Sequence, residues 1–370
     1  DNAAPQSAVT VPAASFTNST PRLAGTATDN SDGAPGALKT IYFRLKRDDS
    51  GNYFNFVSSM YVVGGTGNCL STPDATCAIG VFAGGSTYEI VHGSLTNSQA
   101  FTPDVQHTVE LVLRDRAGNS QAAPPKSFMW DVTPPTAGLV QPVVTKPVNT
   151  LAQVTGTASD FHSMRASSFS IVSARTGKCF EPTNNSFESA CPRWVVTSSD
   201  TSANWSFADA SLSAAVLAYP NTWYTILARG IDSALNNQFS FADGVSSRTF
   251  LFDDVPPGAA LTFPAHDGNY RAADIGGVGA KFQGTVSDHG APWNSGVRRA
   301  EIQLSYVQGP DTFFWRSGVG WTSGTAVAAG GWFATTNADN SVWDDITLPN
   351  WAAAGVQRST SRASRSTAQY

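Results

Sequence analysis

Aspartate is the residue whose placement first suggests chemistry. It opens a linker phrase three times, in DNAAP at 1–5, DVTPP at 131–135 and DDVPP at 253–257. It closes a second phrase three times, in GTATD at 25–29, GTASD at 156–160 and GTVSD at 284–288. It also opens a late turn twice, as Asp115 before Asn119 and Asp232 before Asn236. Carboxylates grouped with turn carbonyls and an amide are hard oxygen donors. Calcium takes six to eight such oxygens and tolerates irregular geometry. The same aspartates can instead cap turns by accepting backbone N–H groups, with no ion involved. A formal charge of −5 over 370 residues is mild for a chain with many metal sites. Both uses stay open at this stage.

Other chemistry is thinly represented. A nucleophile elbow, a phosphate-binding glycine loop and a His-Glu zinc helix are absent. The five histidines, His92, His107, His162, His266 and His289, sit in unrelated contexts and read as solvated loop or strand-surface imidazoles. Aspartates this frequent in turns produce chance carboxylate pairs, so a glycosidase pair has no identifiable setting. Four cysteines form two local pairs, Cys69 with Cys77 and Cys179 with Cys191. As disulfides each would close a loop of roughly ten residues, worth about 3 kcal/mol in the chain-entropy model, and would imply an oxidising compartment. Reduced loop thiols are the alternative, and the spacing does not suit zinc. Six of the ten tryptophans, Trp293, Trp315, Trp321, Trp332, Trp343 and Trp351, crowd the last third of the chain. They could stack on sugar rings. Yet GNYFN at 51–55, GKCFE at 177–181 and DTFFW at 311–315 repeat aromatics in similar places, which suits core or hairpin packing.

The elements that must position these residues are short strands. Gly and Pro are abundant, Met is scarce and long helical stretches are missing. Nothing basic enough for nucleic acid and no apolar run long enough to span a membrane is present. The phrases themselves mark repeated units. Prolines fall in register at Pro5, Pro135 and Pro257, and again at Pro12, Pro142 and Pro264. Each Gly-Thr phrase precedes a bulky strand, TIYFRL at 40–45, SFSIVSA at 168–174 and RAEIQLSY at 299–306. HTVELVLRDRAGN at 107–119 matches YTILARGIDSALNN at 224–237, with period-two alternation that turns Val109, Leu111 and Leu113 inward, and Tyr224, Ile226 and Ala228 likewise. About seven strands in about 125 residues is the count of a β-sandwich. We therefore expect an all-β chain with units at 1–131 and 132–253 and a third, incomplete one at 254–355. Trp205 and Trp343 are equivalent, and counting on from them finds no late strand in the third unit. The tail at 356–370, rich in Ser, Arg and Thr, is expected to be disordered, the product of a reading-frame slip or a truncated gene fragment. A start at Asp1 rather than Met suggests excision from a longer chain.

Three phrases in one order, GTASD, D-x-A-G-N and D-x-T-P-P, resemble the tandem immunoglobulin-like domains of large bacterial surface adhesins, over nearly the whole chain. The resemblance implies tandem immunoglobulin-like sandwiches acting as a non-catalytic extracellular stalk on the bacterial cell surface, with neighbouring repeats of a longer parent chain and a cell-surface or glycan receptor as partners. A carbohydrate-binding or accessory module of a secreted enzyme is the alternative. In such a topology the chain enters each unit beside two of its loops, which would bring Asp131, Asp160 and Asp232 to one junction as calcium ligands with Asn236. Asp1, Asp29 and Asp115 would repeat the arrangement, and Asp253 with Asp288 would repeat part of it.

Overall fold

A computed structural model describes residues 3–19, 22–29, 38–63, 78–84, 86–143, 147–197, 199–201, 203–271, 274–275, 281–289, 293–316, 318–323, 332–335, 337–338, 342–345, 349 and 367–368. The fold is all-β, as strands account for most of the ordered elements. Three strand pairs share one register. Gln6–Val11 runs antiparallel to Leu23–Thr28 with Val9 opposite Gly25. Thr136–Gln141 pairs with Val154–Ser159 with Leu139 opposite Gly156, and Gly258–Phe263 with Phe282–Ser287 with Leu261 opposite Gly284. Each ladder slips just before a proline, at Val9/Val11, Leu139/Gln141 and Leu261/Phe263. Pro12, Pro142 and Pro264, all in cis linkage, follow those slips. A residue without an N–H cannot continue the ladder.

On the far side of each glycine lies a large aromatic residue: Tyr88 opposite Gly25, Trp205 opposite Gly156 and Trp343 opposite Gly284. All three rings are buried. A Cβ on any of these glycines would lie inside contact distance of that ring and of a backbone oxygen, Ala8 O, Gly138 O or Ala260 O. This close approach explains the Gly of every Gly-Thr phrase, and it supports pairing Trp205 with Trp343 across the sequence.

Past its proline the entering chain changes partners. Phe16–Thr17 pairs in parallel with Met129 and Trp130, and Val148 bridges in parallel to Phe252. The long alternating strands pair with the bulky ones, Leu38–Arg47 with Val105–Asp115 and Met164–Ser173 with Thr222–Asp232. Their inward faces carry Val109, Leu111 and Leu113, and Tyr224, Ile226 and Ala228, all buried. Three apolar cores result. One joins Leu23, Phe43, Tyr88, Leu111 and Phe128, and a second joins Leu139, Val154, Phe169, Trp205, Tyr224 and Phe252. The smallest joins Phe282, Val286, Ala300, Ile302, Leu304 and Trp343. In the second, residues of the sheet containing Thr136–Gln141 and Val154–Ser159 and of the sheet containing Met164–Ser173 and Thr222–Asp232 share one core.

Several particulars differ from the expectations. A helix, Ala210–Leu217, follows the Trp205 strand, capped by Asp209, whose Oδ1 accepts from Ser211 N at 2.7 Å. It sends Leu212, Ala215 and Val216 into the second core. His107 is not a surface imidazole: it is wholly buried, stacked on Phe128 with ring centroids 5.8 Å apart. Its Nε2 accepts from Thr102 N at 3.2 Å. Cys179 and Cys191 form a disulfide, while Cys69 and Cys77 lie outside the described residues. Of the tail, Thr367 and Ala368 are described, and they pair antiparallel with Glu301 and Ala300. That places two tail residues in a sheet with Ala300–Gln303; the rest of 356–370 lies outside the described residues.

Candidate metal centre

Strand alternation carries Asp232 to a buried position. Along Thr222–Asp232 every second residue is buried, and Asp232 is the last of that inward row. The turn beyond it fixes the carboxylate. Asn236 donates its backbone N–H to Oδ1 and its side-chain amide to Oδ2, both at 2.8 Å. The same amide donates to the backbone oxygen of Asp131 at 2.9 Å, tying the late turn to the linker. Asp160 directly follows its Gly-Thr strand, Val154–Ser159, and accepts from His162 N at 2.7 Å and Ser163 N at 3.0 Å through Oδ2 alone. Asp131 accepts from Thr133 N at 3.2 Å through Oδ1 alone.

One carboxylate oxygen from each of Asp131, Asp160 and Asp232 lies within 4.8 Å of the other two. Oδ2 of Asp131 and Oδ1 of Asp160 are buried and have no protein partner. Asp131 and Asp232 are both fully shielded from solvent. Burial, followed by the charges of Asp232 and Asp160, raises the Asp131 pKa to about 6. Burial also raises that of Asp232, against the opposing hydrogen bonds from Asn236. Turn capping accounts for one oxygen of Asp131 and one of Asp160, and leaves the other of each unexplained. Three mutually repelling carboxylates with free lone pairs are a donor set that a hard dication fits.

The other aspartates are arranged differently. Asp115 repeats the turn of Asp232, with Asn119 donating twice at 2.8 Å, and Asn119 reaches Ala3 O at 3.1 Å. Asp29 has both carboxylate oxygens buried without a protein partner. Asp1 lies outside the described residues, so the full set there is not described. At the third boundary Asp253 spends both oxygens on backbone N–H groups, Val255 at 3.2 Å and Ser295 at 2.6 Å. Asp288 accepts from Ser295 Oγ at 3.4 Å. Among the described residues, carboxylates gather in threes only at the middle junction.

The aromatic residues sort toward packing. Phe54 and Phe180 are buried. Tyr306 stacks on Phe313 at 4.9 Å, and Trp315 and Trp321 pack against the third core. Trp293 and Trp332 are half-buried, and Trp351 lies outside the described residues.

No family model and no curated protein matches the chain. Among solved structures it is similar to part of a 1.5-MDa bacterial ice-binding adhesin, studied for host cell surface retention, with 14% identity over 94% of this chain and 86% of that one and a TM-score of 0.33. The fibronectin(III)-like modules of Clostridium thermocellum CbhA align at 11% identity over 71% of this chain and all of theirs, TM-score 0.31. The FN1–FN3 domains of chicken CNTN1 align at 10% identity over 93% and 88%, TM-score 0.24. No helix among the described residues is long and apolar enough to cross a membrane.

Proposed function

We propose that the chain is a non-catalytic structural segment of a bacterial surface or secreted adhesin-like protein, built of tandem immunoglobulin-like units and stiffened by calcium at its middle junction. Asp131, Asp160 and Asp232 are the ligands, with the linker and the late turn held together by Asn236. The observation that carries this is the meeting of three carboxylates, one from the linker, one just past the Gly-Thr strand and one at the end of Thr222–Asp232, with buried oxygens left over. The recurring Gly–aromatic register and the three separate cores support tandem units. The Cys179–Cys191 disulfide supports an oxidising, extracellular location.

A dication bridging linker and loops stabilises the folded junction by mass action. With an affinity typical of extracellular modules, roughly 0.1–1 mM, about 10 mM calcium contributes about 1.4–2.7 kcal/mol. Calorimetric scans of the chelated and dialysed chain should show that stabilisation on adding calcium. The variant with Asp131, Asp160 and Asp232 all changed to Asn should not respond. An identical response in that variant would refute the ligand assignment.

A further inference from the structure

A second donor set touches the same linker. Asp104 stands just before the strand Val105–Asp115, and His162 lies two residues past Asp160. One ligand atom from each of Asp104, Asp131 and His162 lies within 4.8 Å of the other two. We propose that these three residues hold a transition dication of the zinc class, at a site next to the calcium ligands and sharing Asp131 with them. The proposal adds a second metal to the junction and does not require the first to be bound.

The donor chemistry selects the ion. Calcium is bound by oxygen, whereas an imidazole nitrogen favours zinc and its neighbours. His162 Nε2 is buried and has no protein partner, and Asp131, wholly buried, has its Oδ2 unpartnered. Both residues that carry a vacant atom thus belong to one cluster. Asp104 is held in place by two hydrogen bonds, Val132 N to Oδ1 at 3.0 Å and Thr133 Oγ1 to Oδ2 at 2.6 Å. Such outer contacts orient ligating carboxylates at metal sites. Three protein ligands leave one position of a tetrahedron for water, a common zinc arrangement.

The fold does not impose this set. Asn221 occupies the place of Asp104 before the strand Thr222–Asp232, with a similar left-handed backbone, φ 52° against 58°. It brings no charge to the next boundary. The histidine after Asp288, His289, has its Nε2 2.9 Å from Ser287 Oγ. The charged residue and the available imidazole coincide at the middle junction, where both chain segments reach Asp131.

The test uses the full chain, freed of metal, titrated with zinc chloride by calorimetry and with cobalt(II) followed by visible absorption. The expected result is one zinc per chain above any weak surface binding, with a cobalt spectrum of low coordination number. His162→Gln should weaken zinc binding at least about tenfold, in the range seen when metal shells are disturbed, and leave the calcium-induced rise in melting temperature intact. Asp160→Asn should do the reverse. His266→Gln removes an exposed imidazole beside Asp267 and should change nothing. Zinc affinity unaltered by His162→Gln, or lost with His266→Gln, would mean adventitious surface binding and overturn the proposal. So would loss of both zinc and calcium responses in His162→Gln, which would indicate one mixed site. Absent zinc binding beside a normal calcium response would refute this site alone and leave the proposed calcium junction standing.

Discussion

Asp131 and His107 are both wholly shielded from water, and burial disfavours the charged form of each. The consequences for stability run in opposite directions. Burial lowers the His107 pKa to about 4, below its ordinary value near 6.5. The unfolded chain therefore binds the extra proton between those values. Stability from this residue is complete above about 6.5 and is lost as the pH falls toward 4. The ring should stay neutral down to pH 5, so its NMR shifts should not move between pH 7.5 and 5; a midpoint near 6.5 would contradict its burial. For Asp131 the folded pKa, about 6, lies above the ordinary carboxylate value near 3.9. Here the native state binds the extra proton, so the penalty is absent below about 4 and complete above 6. In chelator, Asp131→Asn should be more stable than wild type at pH 7.5, by about 3 kcal/mol at most. The difference should fall to about a third of that by pH 4.5, in urea titrations at the two pH values.

Among the elements, the paired strands beneath Tyr88, Trp205 and Trp343 are the most constrained. Gly156→Ala would drive a methyl group into Gly138 O and the Trp205 ring. Neither a central backbone oxygen nor a buried indole can move cheaply, so the cost should be about 3 kcal/mol or more. Gly138→Ala is the control, since its nearest new neighbour is Thr157 Oγ1 at 3.5 Å. Its effect should stay within about 1 kcal/mol. Denaturant midpoints of the two variants distinguish them, and equal losses would mean the close approach is misjudged. These strands were legible because period-two alternation and the Gly-Thr phrase are local signals. The inward row Val109, Leu111, Leu113 extends backward to His107, so the alternation that exposes the core face also held the signal for the buried imidazole. Forward, it reaches Asp115, and in the second long strand it reaches Asp232. The helix Ala210–Leu217 was harder to read: eight residues give little periodicity, and the Asp209 cap resembles any turn aspartate. Asp104 was missed as a donor because it meets His162 only through contact between segments far apart in sequence.

At the scale of the whole molecule, three apolar cores drawn from successive stretches of chain predict separable unfolding. Leu111→Asp would bury an unpaired charge in the first core. It should unfold that stretch while the core around Trp205 and Tyr224 persists, so limited proteolysis should leave a resistant fragment beginning near residue 132. Loss of all protection at once would show that the cores fold as one. The junction between the first two stretches is where the linker aspartate, two strand-end carboxylates and an asparagine amide meet, so an ion there would act on the chain as a joint. The most direct measurement is thermal unfolding of wild type and Asp131→Asn at pH 7.5, each in chelator and in about 10 mM calcium. With a calcium junction only wild type gains from the ion, so the lead that Asp131→Asn holds in chelator shrinks by about 1.4–2.7 kcal/mol in calcium. If Asp131 only caps a turn, the substitution shifts unfolding by the same amount and in the same direction in both conditions, which would contradict calcium binding at the junction.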